Sequence, residues 1–172
     1  MSTIDLRSLY KIQYGMYVIS SHNHERINAQ IATVVAQVTA SPVQIITCIS
    51  KDTLTHEYIQ YSQVLGIAIL DQETPLKLIG NFGFKTGRDC DKFINEKYTV
   101  GITKCPLLAE HVLVTMEAKV KQQLDVGTHT LFIAELLCSQ TIKDGIAMTY
   151  EYYHKVIKGK SPKNAPNFQP QN

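Results

Sequence analysis

The sequence predicts a mainly β protein, a β-barrel of six to seven strands with short inserted helices. Apolar and polar residues alternate along HVLVTMEAKVK (residues 111–121), the pattern of a half-buried antiparallel strand. The turn-like LDVGTH (residues 124–129) and a second apolar run (residues 130–142) follow, so the two runs form a long hairpin. Because helical patterns are few and short, we expect a closed barrel with helical excursions.

Five more segments have the composition of strands, rich in β-branched and aromatic residues and bounded by turn residues. They are residues 16–21, 32–39, 43–50, 65–70 and 146–153. Ser41-Pro42 separates the second of these from the third, since proline interrupts a strand.

Two short helices are predicted between the strands. Residues 52–62 space apolar side chains at i, i+4 and i+7, and Asp52 or Thr53 can cap the first turn. Residues 86–96 begin with Thr86 and carry an acidic residue three positions later, which is the spacing of a capping box.

The chain length predicts one domain, because 172 residues with 44% hydrophobic content supply one substantial core. We assign residues 1–157 to this domain. Residues 158–172 contain several lysines and three prolines without apolar periodicity, and we expect a tail that lies along a surface or a partner or stays disordered.

The charge and hydropathy of the chain exclude several classes of partner. Seventeen Lys and Arg stand against fifteen Asp and Glu, so the broad positive field of a nucleic-acid-binding protein is missing. The apolar runs are far shorter than the roughly 20 residues that span a bilayer, and the N-terminus has no apolar core of a secretory signal. We therefore expect no nucleic acid, no membrane and a cytoplasmic location.

Metal, redox-dithiol and hydrolase chemistry have little support in the motifs. The four cysteines form no C-x-x-C pair, so we expect reduced thiols rather than a zinc ribbon. Neither G-x-S-x-G nor H-E-x-x-H occurs. His22-Asn23-His24 follows a predicted strand and is interpreted as a loop, with no metal site.

Anion binding has better support. Residues 50–59 leave a strand and enter a helix with one lysine and three hydroxyls in the first six residues, which suits a phosphate at a helix N-terminus. Residues 84–93 repeat this arrangement, with basic side chains and a glycine that lets the backbone approach closely. Each segment alone is equally explained by ordinary helix capping.

Two further features are compatible with a ligand. Small residues in ERINAQIAT (residues 25–33), including Asn28, Ala29 and Thr33, leave room for a flat molecule against the backbone, although such residues also simply pack. His129 opens a strand after a turn, where a structural role is the simpler interpretation.

Taken in this order, the segments resemble the flavin reductase-like family of FMN-binding split barrels. The resemblance is carried by GMYVISS (15–21), RINAQIAT (26–33), PVQIITCISKDTLTHEYI (42–59), FGFKTGRDCDKF (82–93), the G-x-H of residues 127–129, and KGKSPKNAP (158–166). It covers nearly the whole chain and is closest to flavoredoxins and to the flavin-reductase parts of rubredoxin fusions.

The resemblance implies a Greek-key split β-barrel and a homodimer with FMN near the subunit interface. It implies phosphate and ribityl contacts from Ser50, Lys51, Thr53 and Thr55, ring contacts from Asn28, Ala29 and Thr33, and a second flavin-contacting loop of Lys85, Thr86, Gly87 and Arg88. It also implies that Lys92, His129 and Phe168 surround the isoalloxazine or the nicotinamide, with Lys92 and His129 as catalytic candidates.

The implied function is an NAD(P)H-dependent FMN oxidoreductase that passes electrons to flavin, ferric iron or a small redox protein such as rubredoxin. Alternatives are a non-enzymatic electron carrier similar to flavoredoxin, and a split barrel that has lost its flavin. Because no C-x-x-C pair is present, we expect a rubredoxin partner to be a separate chain. The basic tail could dock such an acidic protein, or be solvated.

Overall fold

Seven antiparallel strands form one large sheet in this computed structural model, which describes residues 4–163 and 165–167. The strands are β1 (Tyr17–His22), β2 (Ile27–Ala32), β3 (Val35–Ala40), β4 (Val43–Ser50), β5 (Val64–Leu70), β8 (Val112–Asp125) and β9 (His129–Thr141). A separate hairpin pairs β6 (Tyr98–Val100) with β7 (Pro106–Leu108). The helices are a 3₁₀ helix (Leu6–Lys11), α1 (Leu54–Ser62), α2 (Leu76–Phe84) and α3 (Tyr150–Lys155).

The strand order makes the sheet a Greek key. The order is β2-β1-β5-β8-β9-β4-β3, so the β8–β9 hairpin lies between β4 and β5, which are consecutive in the chain. Within the described residues β2 and β3 remain edge strands, while β2 also contacts β4 across the barrel. The barrel is thus split rather than closed by a continuous ladder, and the mainly β prediction is confirmed.

Apolar side chains are buried on both faces of the central strands. One core cluster fills the barrel and includes Ile19, Phe132 and Ile59, the last from α1. A second cluster lies between the other face of β1 and β5 and helix α2, and includes Val18 and Phe82. Successive residues of β1 therefore enter different cores. Helix α1 packs mainly against β1, and α2 packs against β2.

Helix α1 begins where the sequence predicts it. Thr53 is the N-cap residue, and its side chain accepts a hydrogen bond from the amide of His56. The strand prediction for residues 43–50 coincides with β4, and the β8–β9 hairpin is also confirmed. The predicted strand over residues 32–39 corresponds to β3, which follows β2 after a short break.

The predicted helix over residues 86–96 is wrong, because this segment is a series of turns. The Thr86 hydroxyl accepts from the amide of Arg88, only two residues on, and the amide of Asp89 donates to the Thr86 carbonyl. The helix of this region is α2, which ends just before it at Phe84. Its first turn has no side-chain cap hydrogen bond, and Pro75 occupies the N-cap position.

The predicted strand over residues 146–153 is also wrong. Only two isolated bridges form there, at Ala147 and Thr149, and α3 begins at Tyr150. The Thr149 side chain accepts from the amide of Tyr152 and caps this helix.

The alternation along β8 is less regular than the sequence predicts. Glu117, on the face expected to be polar, is buried, and its carboxylate accepts from the amides of Ile102 and Thr103. Those bonds hold the β6–β7 connection against the barrel, and they explain why a charged residue can be buried. None of the helices in the described ranges has the length and apolar character of a membrane span.

Candidate cofactor site

A cleft opens between the edge of the barrel and the C-terminal part of the chain. It is surrounded by strand β2, the end of β4, the first turn of α1, residues 84–92, α3, and residues 160–162 and 165–166. It is lined by Asn28, Thr33, Ser50, Thr53, Thr55, Lys85, Thr86, Gly87, Lys92 and His129, among other residues. Segments that are far apart in the sequence and were predicted to share a site therefore meet in one place.

Three of these segments are joined at Asn28. Its side-chain amide, buried on β2, donates to Thr55 Oγ1 in the first turn of α1 at 2.9 Å. Gly87 packs against the same side chain so closely that a Cβ atom there would lie 2.1 Å from Asn28 Oδ1. Gly87 is therefore required for close approach to Asn28, and the three segments meet at this side chain.

The α1 end of the cleft has the donors that an anion needs. The first amides of an α-helix have no acceptor within the helix. The Thr53 hydroxyl accepts from the amide of His56 and donates to the Ser50 carbonyl, so it satisfies one of these amides. Leu54 and Thr55, whose amides belong to the same turn, line the cleft together with Ser50. Hydroxyls and helix N-terminal amides at one point are a typical phosphate-binding arrangement.

The second predicted phosphate cradle is wrong as a helix start, although part of it does line the cleft. Lys85 and Thr86 are on the lining, in a turn that contacts with other parts of the chain hold in place. Arg26 donates to the Gly87 carbonyl at 3.1 Å, and Arg88 forms an exposed ion pair with Glu57 of α1. The hydrogen bond from Arg88 lowers the pKa of the Glu57 carboxyl.

Lys92 lies in the wall of the cleft with its ammonium group turned to the protein. Nζ donates to the carbonyls of Ala29 at 2.9 Å and Phe82 at 3.3 Å, which fastens the segment to β2 and α2. The residue is only 4% exposed, and its burial lowers the pKa of Lys92 from the usual 10.5 to about 8. Its catalytic assignment stays a prediction, while its role in holding the wall is evident from these contacts.

Two histidines stand beside the α1 end of the cleft. His129 pairs with Ser50 across strands β4 and β9, and its Nδ1 is hydrogen-bonded to Thr128 Oγ1 at 2.8 Å. His56 Nε2 is hydrogen-bonded to Thr130 Oγ1. Burial, followed by the charge of Lys51, lowers the pKa of His56, so this ring is neutral at neutral pH.

Some predicted site residues are not on the lining. Ala29 is fully buried behind it, Lys51 is paired with Asp125 at 2.6 Å, and Arg88 is engaged with Glu57. Phe168 lies outside the described residues. For all four, a direct ligand contact stays a prediction.

The prediction missed several lining residues. Gln30 follows Asn28 at the two-residue spacing of β2 and could have been found by that alternation. Tyr150 and Tyr153 were placed on a strand, whereas on α3 their three-residue spacing puts both on the same side. Lys160 and its neighbours belong to KGKSPKNAP, which contributes to the family resemblance, but the tail has no periodicity that would place them at the cleft.

The cleft has unused hydrogen-bonding capacity that a ligand could take up. Gln30 Oε1 and Thr33 Oγ1 are buried on the lining and have no partner among the described residues. Met16, Ile79 and Phe82 provide apolar surface next to them. A phosphate-binding end, a polar edge and an apolar wall together fit a phosphorylated cofactor with a flat ring, as buried polar groups are normally satisfied.

The fold and the cleft define the class of protein, a split β-barrel built to hold such a cofactor. The chain belongs to the flavin reductase-like domain family, whose model matches residues 9–160.

Two relatives are about two fifths identical to this chain over the aligned residues. A high molecular weight rubredoxin from Moorella thermoacetica is 42% identical over 165 residues, covering 96% of this chain and 72% of that protein. A ferric-chelate reductase (NAD(P)H) from Archaeoglobus fulgidus is 41% identical over 162 residues, covering 94% of this chain and 96% of that protein.

A solved structure shares the fold at lower sequence identity. The FMN-binding protein from Thermus thermophilus matches with a TM-score of 0.77 and 20% identity, covering 87% of this chain and 89% of that chain.

We expect the burial of Lys92 to give the stability a specific pH dependence. Between about pH 8 and 10.5 the unfolded chain holds more protons on this side chain than the folded one, so the free energy of unfolding rises with pH. In urea unfolding, the free energy of unfolding of the wild type should rise relative to that of Lys92→Met over this pH window, by at most about 3 kcal/mol.

Lys77→Met, at an exposed position on α2, is the control for the loss of one positive charge. If the difference between wild type and Lys92→Met were the same at pH 7 and pH 10, the ammonium would not be held in the buried position that the structure shows.

Proposed function

We propose that this protein is an FMN-binding, NAD(P)H-dependent oxidoreductase that passes electrons to flavin, ferric iron or a small redox protein. The observation that carries the proposal is the convergence of Asn28, the first turn of α1 and Gly87 on one cleft. Membership of the flavin reductase-like domain family supports the same activity.

The phosphate and ribityl chain of FMN would be held at the α1 end of the cleft. Ser50 and Thr55 offer hydroxyls there, and the first amides of α1 offer N–H groups aligned with the helix dipole. The Thr53 hydroxyl donates to the Ser50 carbonyl, so the role of Thr53 is to cap the helix that presents these amides. Lys51 is close in sequence and adds positive charge, although its ammonium is paired with Asp125.

The ring would lie against β2 and the segment after α2. Asn28 and Thr33 can form hydrogen bonds to its polar edge, and Lys85 and Thr86 stand on the neighbouring wall. When bound, FMN would supply the redox chemistry between the nicotinamide donor and the electron acceptor. The chain's own residues fix the position of the ring, and Lys92 keeps the wall in place through its two carbonyl contacts.

His129 would stand where the nicotinamide enters. It lines the cleft and also an adjoining open depression with Thr128 and Lys163. A donor must bring its nicotinamide close to the ring for hydride transfer, and this depression leads from solvent to the cleft. His129 can form hydrogen bonds to the donor or to the ring from this position.

The names of the relatives support two kinds of electron acceptor. The relative from Archaeoglobus fulgidus is named for the reduction of ferric chelates, and the one from Moorella thermoacetica as a rubredoxin. Both acceptors carry iron and neither needs to enter a deep pocket to receive electrons. We propose the same two classes, with free flavin as a third, for this chain.

We also propose that the protein is a homodimer. Strand β3 is an edge strand whose residues are largely exposed, and such edges are normally covered in native proteins. Val38 on β3, Val43 on β4 and Leu137 on β9 are exposed apolar residues on neighbouring strands. A second copy of the chain would bury this surface and protect the edge.

The proposed activity predicts a yellow protein that NADH or NADPH bleaches. After reconstitution with FMN and gel filtration, flavin absorbance should be close to one FMN per chain, because the cleft offers a single complete set of ligand groups in the described residues. Anaerobic addition of either nicotinamide should remove the absorbance, and ferric citrate or free flavin should restore it.

Failure to retain FMN would overturn the proposed function. A yellow protein that neither nicotinamide bleaches, but that a reduced partner protein reduces, would instead favour the electron carrier. The two results separate cofactor binding from catalysis.

The dimer predicts a mass near twice the 19.3 kDa of the chain in light scattering at micromolar concentration. Val38→Asp should shift the mass to that of a monomer, because a charge would have to be buried in the interface. Val100→Asp, at an exposed position on β6, is the matched control and should leave the dimer intact. A monomeric wild type would contradict the dimer.

A further inference from the structure

One wall of the cleft is formed by a segment without regular secondary structure. We call residues 158–163 the strap. Lys160, Ser161 and Pro162 of the strap line the cleft opposite the first turn of α1. The strap follows α3 directly, so the question is what keeps an irregular segment in this place.

Side chains of α3 hold the strap through its backbone. The Tyr153 hydroxyl donates to the Lys160 carbonyl at 2.9 Å, and His154 Nδ1 is 2.9 Å from the Gly159 carbonyl oxygen. Ser161 adds a side-chain link, since its hydroxyl lies 3.1 Å from His154 Nε2 and also contacts the Tyr150 hydroxyl.

The chemistry of these groups fixes the direction of each hydrogen bond. A carbonyl oxygen can only accept, so Nδ1 of His154 carries the proton and Nε2 of the neutral ring accepts. The Ser161 hydroxyl must then donate to Nε2, and the Tyr150 hydroxyl donates to Ser161. Burial lowers the pKa of His154, which favours the neutral ring that this chain of bonds requires.

Packing holds the strap as closely as hydrogen bonding does. A Cβ atom on Gly159 would lie 2.0 Å from the Tyr153 ring, so the backbone rests directly on the aromatic face. Tyr150 and Tyr153 themselves line the cleft. The residues that hold the strap are thus also next to the space where a ligand binds. A ligand in the cleft would contact both these tyrosines and the strap.

We propose that His154 and Ser161 are positioning residues that hold the strap across the bound cofactor and slow its release. The proposal rests on the proposed binding of FMN in the cleft. His154 acts through the Gly159 carbonyl and Ser161, and Ser161, which lines the cleft itself, acts by joining His154 to Tyr150. The strap then controls how long FMN stays bound without taking part in hydride transfer.

The test is the rate of FMN dissociation, followed by fluorescence after dilution of the loaded protein. Ser161→Ala removes the hydroxyl that joins His154 to Tyr150 and should raise the rate roughly 3- to 10-fold, as expected for the loss of one or two hydrogen bonds. Ser161→Thr keeps the hydroxyl and should restore the slow rate. Lys155→Ala, exposed on the same helix, is the matched control.

A second measurement uses the protein without FMN. Trypsin cleavage at the lysines of the strap should be faster in Ser161→Ala than in Lys155→Ala, because a released strap is open to the protease. Wild-type cleavage should match that of Ser161→Thr.

The outcomes separate the two proposals. A wild type that does not retain FMN overturns the proposed function and, with it, the role of the strap. A wild type that retains FMN, together with equal dissociation rates for Ser161→Ala and Lys155→Ala, overturns the strap alone. Tryptic cleavage of the strap that is no faster in Ser161→Ala than in Lys155→Ala also contradicts the inference. So does FMN dissociation from Ser161→Thr that is as fast as from Ser161→Ala.

Discussion

The contact between Asn28, Thr55 and Gly87 is the constraint on which the cleft depends. A buried amide donates to a helix hydroxyl, and a glycine leaves room for that amide beside a third segment. Since each partner belongs to a different part of the chain, the contact brings a strand edge, a helix N-terminus and a loop together. The donors for a phosphate and the surface for a ring thereby acquire a fixed distance from one another, as a preorganised site requires.

Few of the basic groups around this site are available to a ligand. Most basic groups near the cleft are already engaged, Lys51 with Asp125, Arg88 with Glu57, and Lys92 with two backbone carbonyls. The groups left for a ligand are mainly hydroxyls, amides and helix N–H groups, with Lys85 on the lining. Such a site binds through many directed hydrogen bonds, and it leaves the charged residues to hold the walls.

Local patterns predicted the parts of the structure that local interactions decide. The strand over residues 43–50 and the cap at Thr53 follow from alternation and from a hydroxyl at a helix start. The helix predicted over residues 86–96 does not form, because the Thr86 hydroxyl accepts from the amide of Arg88 in a turn and Lys92 reaches across to β2. The second contact is long-range, and no local spacing encodes it. The strap was unpredictable for the same reason, since the partners that hold it lie on a helix that the sequence pattern had assigned to a strand.

The central claim is tested most directly by the dissociation constant for FMN in Gly87→Ala. The added Cβ would lie 2.1 Å from Asn28 Oδ1, whereas in the control Gly80→Ala it meets no atom within 4 Å. We expect the dissociation constant for FMN to rise about tenfold or more in Gly87→Ala, because a buried hydrogen bond is lost. It should be unchanged in Gly80→Ala. Equal affinity in the two variants would contradict the claim that the Asn28 contact assembles the cofactor site.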